Sequence, residues 1–243
     1  MRWGVVTFPG SNDDRDTLWA IEQVLCEPAV RLWHKDTDLQ GVDVVVLPGG
    51  FSYGDYLRCG AMARFSPVME KVVEFAAAGG LVWGICNGFQ VLCEAGLLPG
   101  ALVRNRDRRF VCAPAYVRVE ETDTPFTHLC RRGEVLRIPI KHGEGCYVAD
   151  PATLERLERN RQVILRYVDA NGRVTPEANP NGSMGNIAGI VNEQRNVFGL
   201  MPHPEHAVEK WMGSDDGLKL FQSVVASFRN VRSADQTAVA PGH

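Results

Sequence analysis

The chain has 243 residues, 26 basic and 29 acidic, a formal net charge of −3 and a mean hydropathy of −0.14. Charges of both signs are mixed along it, which gives no reason for a nucleic-acid or anionic-membrane partner, and its apolar runs are only strand-length, so no membrane-spanning helix is expected. The size suits one α/β domain, expected over residues 1–230, with a polar tail at 231–243 expected to be disordered.

Trp3 to Phe8 reads as a short apolar strand closed by Pro9-Gly10, with no signal peptide expected before it. Ser11 to Asp14 supplies N-cap candidates for a helix running to about Cys26. Val30 to Trp33 and Val42 to Leu47 are two further strands, the second apolar almost throughout, as in a strand covered on both faces. This rhythm predicts a doubly wound parallel sheet whose ligands sit beyond the carboxyl ends of its strands. In the loop from Ser52 to Ala63, Asp55 and Arg58 form either a local ion pair or part of a partner-facing surface. A helix over Phe65 to Ala78, a strand over Leu81 to Ile85 and a helix from Asn87 follow. Residues 101–148 are strand-rich and read as an antiparallel excursion from the main sheet. Within them Arg104, Arg106, Arg108 and Arg109 form a basic cluster, by default a solvated turn and otherwise an anion contact. Pro151 to Arg161 is a short polar helix. Val163 to Val168, Ile187 to Val191 and Val197 to Leu200 are strands, and Gly217 to Phe228 is a closing amphipathic helix. The seven cysteines stand singly, with no CxxC and no His/Cys metal spacing. They are expected to be reduced thiols in a cytoplasmic protein that binds no metal.

Three stretches carry chemistry. Gly84-Ile85-Cys86-Asn87-Gly88 has the small-x-nucleophile-x-small spacing of a nucleophile elbow, with glycine where the strand-to-helix turn leaves no room for a Cβ. The helix N-terminus behind it favours thiolate at Cys86. Taken alone, the stretch also fits a buried cysteine in a glycine-rich turn. Gly49-Gly50 follows another strand, and its backbone N–H groups, with that of Asn87, are candidates for an oxyanion hole, although a lone Gly-Gly is more often a plain turn. In His203-Pro204-Glu205 the proline biases the backbone toward an extended form. Positions i and i+2 then share a face, so that Glu205 can hold an imidazole turned toward Cys86. In His142-Gly143-Glu144-Gly145, two glycines around Glu144 let the backbone approach a ligand closely, although His142 reads equally well as a surface histidine.

With these motifs in order, the chain resembles the class I (triad) glutamine amidotransferases from Trp3 to Phe228. Within them it resembles the glutaminase subunits of phosphoribosylformylglycinamidine synthases, through Gly50 to Arg58, Pro139 to Gly145, Asn179 to Ser183 and the following Asn186 to Ile190. The resemblance implies a flavodoxin-like, mostly parallel sheet with Cys86 as nucleophile, His203 as acid/base and Glu205 as its orienter. It also implies Gly50, Phe51 and Asn87 in the oxyanion region and Gln90, His142, Gly143 and Glu144 in the glutamine pocket. It implies no cofactor in this chain, which has no phosphate-binding glycine motif. ATP and Mg2+ belong on a separate synthetase subunit that binds formylglycinamide ribonucleotide, usually joined by a small third subunit. Cys112-Ala113-Pro114-Ala115 departs from the family pattern, lacking the basic-plus-aromatic pairing expected there. Three other readings of the residues stand: an amidotransferase serving a different synthetase, a Cys-His-Glu hydrolase of γ-glutamyl groups, and a regulatory chain with a relic triad.

Overall fold

The computed structural model describes residues 1–238, with side chains described through Arg229. Its elements in chain order are β1 (Trp3–Thr7), α1 (Asp14–Trp19), β2 (Ala29–Trp33), β3 (Val44–Leu47), α2 (Pro67–Ala77), β4 (Leu81–Ile85) and α3 (Asn87–Glu94). Then come β5 (Ala101–Val103), β6 (Val111–Val119), β7 (Val135–His142), β8 (Cys146–Val148), α4 (Pro151–Arg159), β9 (Val163–Val168), β10 (Ile187–Val191), β11 (Val197–Leu200) and α5 (Leu218–Ala238).

Nine strands form one sheet in the order β2-β1-β3-β4-β11-β10-β9-β6-β7. Pairing is parallel from β2 to β11, and β10, β9, β6 and β7 continue the sheet antiparallel. The fully buried run of β3 and the near-continuous burial of β4 are what parallel strands covered on both faces require. The parallel half has the flavodoxin-like strand order, and such sheets bind ligands past the carboxyl ends of their strands, where the order reverses. Most of the predicted antiparallel excursion is therefore an extension of the same sheet, and only β5 and β8 pair apart from it.

Alternation along β4 divides the core. Trp83 packs on Phe221 of α5 with ring centroids 4.7 Å apart, and against Phe126 and Phe198. Gly84 faces the other way, onto Leu92 of α3. A cap of Asp150 on the backbone N–H of Thr153 (3.0 Å), with Pro151 behind it, starts α4.

Three expectations change. The first helix is α-helical only to Trp19 and passes through a π turn at Ala20–Val24, after which Cys26 has φ 56°. The last helix runs beyond Phe228 to Ala238, because residues 229–238 hold no glycine or proline to stop it; residues 239–243 of the predicted tail lie outside the described residues. Arg58 does not pair with Asp55. It forms a two-bond fork with Glu94 on α3 (2.6 Å each).

Candidate active site

The three chemical motifs meet at the carboxyl end of the parallel strands. β3, β4 and β11 are adjacent, so the chain leaving each delivers its motif to the same edge. Cys86 sits between β4 and α3 with φ 50° and ψ −105°, a conformation side chains rarely adopt. Its neighbours enforce this. A Cβ on Gly88 would overlap the Leu47 carbonyl oxygen, and one on Gly84 would lie 2.6 Å from the carbonyl carbon of Gly88. Only glycine at both positions lets α3 close against β3 and β4. The backbone N–H of Cys86 donates to Leu200 of β11 (2.8 Å), locking the elbow to the strand that leads to His203. The sulphur is buried, 3.8 Å from the Lys141 carbonyl oxygen.

His203 is fully buried, and its backbone N–H is fixed by Pro139 (2.8 Å). Its Nδ1 lies 2.6 Å from Oε1 of Glu205, itself 1% exposed. Its Nε2 makes no conventional hydrogen bond and is turned to Cys86. Burial opposes a charge on this imidazole, but the charge of Glu205 and then that of Cys86 outweigh it and hold His203 up to about 10. The route to this pairing differs from the sequence reading. Pro204–His206 is a 3-10 turn, not an extended segment, and the turn brings Glu205 back to the ring.

The other predicted residues divide. Asn87 and Gln90 join the parts of the site: the Asn87 amide donates to Gln90 Oε1 (2.8 Å), Asn87 Oδ1 accepts from the Ser52 N–H (3.2 Å), and Gln90 Nε2 donates to the Glu144 carbonyl (2.6 Å). Gly50, at φ 138° and packed 2.5 Å from the Asn12 nitrogen at its Cβ position, has room for no side chain. The Phe51 N–H donates to the Gly10 carbonyl (2.8 Å), so that group is not aimed at Cys86; Phe51 instead gives its ring, stacked on Phe110 at 6.4 Å, to the cavity mouth. That leaves Gly50 and Asn87 as oxyanion candidates. His142 is buried, not at the surface. Burial and, next, the charge of His203 hold it down to about 3, so it is neutral, and its Nε2 accepts from Asn181 (3.0 Å). With Asn105, which bonds the carbonyl of His142 and the N–H of Gly145, it fixes the turn carrying Gly143 and Glu144. Arg104 reaches Glu144 at 3.6 Å and Arg106 pairs with Asp107 at 3.8 Å, so the basic cluster is in part internally paired.

A cavity of about 220 Å³ opens over this site, lined by Cys86, Gly50, Phe51, Gln90 and the 141–144 turn. Its lining also contains Asp13 and Lys141, to which the sequence reading gave no part in the chemistry. Asp13, 2% exposed, has Oδ1 bonded to Lys141 and 3.1 Å from His206 Nε2, and Oδ2 3.7 Å from His203 Nδ1. Burial opposes its charge, yet His206, His203 and Lys141 together hold its carboxyl well below the usual carboxylate range. The donor atoms of Asp13, His203, Glu205 and His206 lie within 4.8 Å of one another, but they are engaged with each other and with Lys141. Lys141 and Asp13 are 128 residues apart, and only the fold joins them.

The description "CobB/CobQ-like glutamine amidotransferase domain" matches residues 1–232. The chain belongs to that glutamine amidotransferase family. It is 57% identical over 227 residues to the phosphoribosylformylglycinamidine synthase subunit PurQ of Acaryochloris marina, covering 93% of this chain and 97% of that protein. It is 60% identical over 223 residues to the PurQ subunit of Chlorobaculum tepidum, covering 92% and 95%. Among solved structures it superposes on a chain of PurLQS from Thermotoga maritima with a TM-score of 0.82, at 44% identity, over 93% of this chain and 98% of that one. A glutamine amidotransferase from Thermotoga maritima shares the fold at 15% identity and a TM-score of 0.54, over 99% of this chain and 86% of that one. No described helix is long and apolar enough to cross a membrane.

Proposed function

We propose that the chain is the glutaminase subunit of a phosphoribosylformylglycinamidine synthase, releasing ammonia from glutamine for de novo purine synthesis in the cytoplasm. The observation that carries this is the buried meeting of Cys86, on its strained elbow, with a His203 ring held by Glu205. High identity to PurQ subunits along nearly the whole chain supports the choice of synthetase.

In the reaction, the Cys86 thiolate attacks the side-chain amide carbon of glutamine. The developing oxyanion is met by Gly50 and Asn87, where loss of one donor costs about 10²–10³ in rate. The His203 imidazolium gives its proton to the leaving nitrogen, so ammonia departs and a glutamyl thioester remains on Cys86. His203, now neutral, takes a proton from water. The resulting hydroxide adds to the thioester, and glutamate leaves as the thiolate is restored. Glu205 stabilises the imidazolium in both halves. Gln90 and the His142-to-Glu144 turn shape the glutamine pocket.

Ammonia protonated in bulk water is a poor nucleophile, so direct transfer to the partner preserves it. The ATP- and Mg2+-dependent conversion of formylglycinamide ribonucleotide falls to a separate synthetase subunit, with a small third subunit completing the assembly. The name PurLQS of the Thermotoga structure agrees with such a complex. The test is synthesis by the assembled enzyme with each nitrogen donor. Cys86→Ala should abolish glutamine-dependent synthesis and spare ammonia-dependent synthesis, and loss of both in an intact complex would contradict the assignment.

A further inference from the structure

Asp13 is the N-cap of α1, yet its side chain makes no capping hydrogen bond. A carboxylate in that place ordinarily accepts from the first N–H groups of the helix. This one lines the cavity over Cys86 instead. Backbone bonds fix its position. The Asp13 N–H donates to the Gly49 carbonyl (3.2 Å), and the Asp13 carbonyl accepts from the N–H (2.9 Å) and the hydroxyl (2.8 Å) of Thr17.

The two carboxylate oxygens are used differently. Oδ1 is taken up by Lys141 and by His206 Nε2 (3.1 Å). Oδ2 is turned to His203, 3.7 Å from Nδ1. Gly49 makes this approach possible. A Cβ there would overlap Asp13 Oδ2 and lie 2.7 Å from His203 Cε1, so only glycine fits beside the carboxylate and the ring.

The acid/base of the reaction therefore has a second carboxylate next to it. Opposite charges within about 4–6 Å favour each other's ionised forms. Burial opposes the charge of Asp13, and His206 and then His203 sustain it. That attraction is mutual. Glu205 and Asp13 set two negative charges around one imidazolium, and Lys141 and His206 offset the surplus. Cys86 from the elbow, His142 from β7 and, beyond His206, Asp16 from α1 complete the titratable groups around the ring. We infer that Asp13 is a positioning residue that supports the protonated His203 ring from beside Gly49, while Glu205 holds Nδ1. This rests on the glutaminase reading and adds to its triad a fourth group that acts through His203.

The test is the pH dependence of kcat/KM for glutamine, measured on the assembled enzyme with Asp13→Asn and with Asp13→Asn plus Lys141→Met. Ammonia-dependent synthesis checks assembly, and the position of a pH limb does not depend on the amount of active protein. A negative charge removed from beside the ring lets its proton leave earlier, so the alkaline limb should move down by about 1 pH unit in the single variant. It should stay down in the double variant, because the charge facing the ring is still missing. Asp13→Ser, whose hydroxyl can cap α1 and so favours folding, should show the same limb as Asp13→Asn. A limb at the wild-type position in the single variants, or one restored by Lys141→Met, would overturn the inference, because Asp13 would then serve only to neutralise Lys141. A wild-type assembly that uses ammonia but no glutamine would instead overturn the glutaminase reading itself.

Discussion

Replacing Glu205 by Gln keeps the shape of the side chain and removes its charge from a 2.6 Å contact in which both partners are essentially inaccessible to solvent. Of the influences that raise His203 to about 10, the Glu205 charge is the largest. A hydrogen bond to a charged group contributes about 1.5–3 kcal/mol, which corresponds to about 1–2 pH units of proton affinity. Because Glu205 raises the wild-type value, the imidazolium of His203 persists as pH climbs and is lost only near pH 10. Removing the charge lets the proton go earlier. In the Glu205→Gln enzyme the alkaline limb of kcat/KM for glutamine should therefore move down by about 1–2 pH units, with a lower maximum. The assay is the pH dependence of glutamate release by the assembled enzyme, with ammonia-dependent synthesis as the control for assembly. A profile that is merely scaled down, with its alkaline limb near pH 10, would refute the reasoning.

Asp13→Asn takes from Lys141, a third exposed, its buried counter-charge, and leaving one partner of such a hydrogen-bonded pair unsatisfied costs about 1–3 kcal/mol. Denaturant unfolding should show a loss of that order, and Asp13→Asn with Lys141→Met should recover most of it; equal losses in the single and double variants would contradict a charge-pairing role. Asp13 is held below its ordinary value, so its contribution exists above about pH 4 and is lost as pH falls. Gly88→Ala sets a methyl against the Leu47 carbonyl, so α3 must shift and Asn87 with it. Glutamine-dependent synthesis should fall by about 10²-fold or more through the lost oxyanion donor, and a variant with wild-type glutamine turnover would show that the elbow tolerates the movement.

What the sequence revealed is what local rules control. Leu81 to Ile85 is a largely apolar run that follows Gly79-Gly80, and β4 has those limits. Gly84 and Gly88 announced the elbow because a single turn imposes their absence of side chain. His203 and Glu205 were legible as a pair from their spacing, although a 3-10 turn unites them. The Phe51 N–H was misjudged because its partner, Gly10, follows β1, and nothing in the Gly-Gly stretch foretells that neighbour. Nothing in the sequence joins Asp13, Lys141 and His206, which β1, β7 and the turn after β11 bring together. His142 looked exposed because its partner, Asn181, lies in a remote loop.

The central claim is that Cys86 reacts in a cavity shaped for glutamine. Its most direct test is intact mass after exposure of the assembled enzyme to a diazo-ketone analogue of glutamine. The account predicts one adduct on the wild-type chain, none on Cys86→Ala, and protection by glutamine. An adduct that survives Cys86→Ala, or a wild-type chain in the intact assembly that takes none, would contradict it.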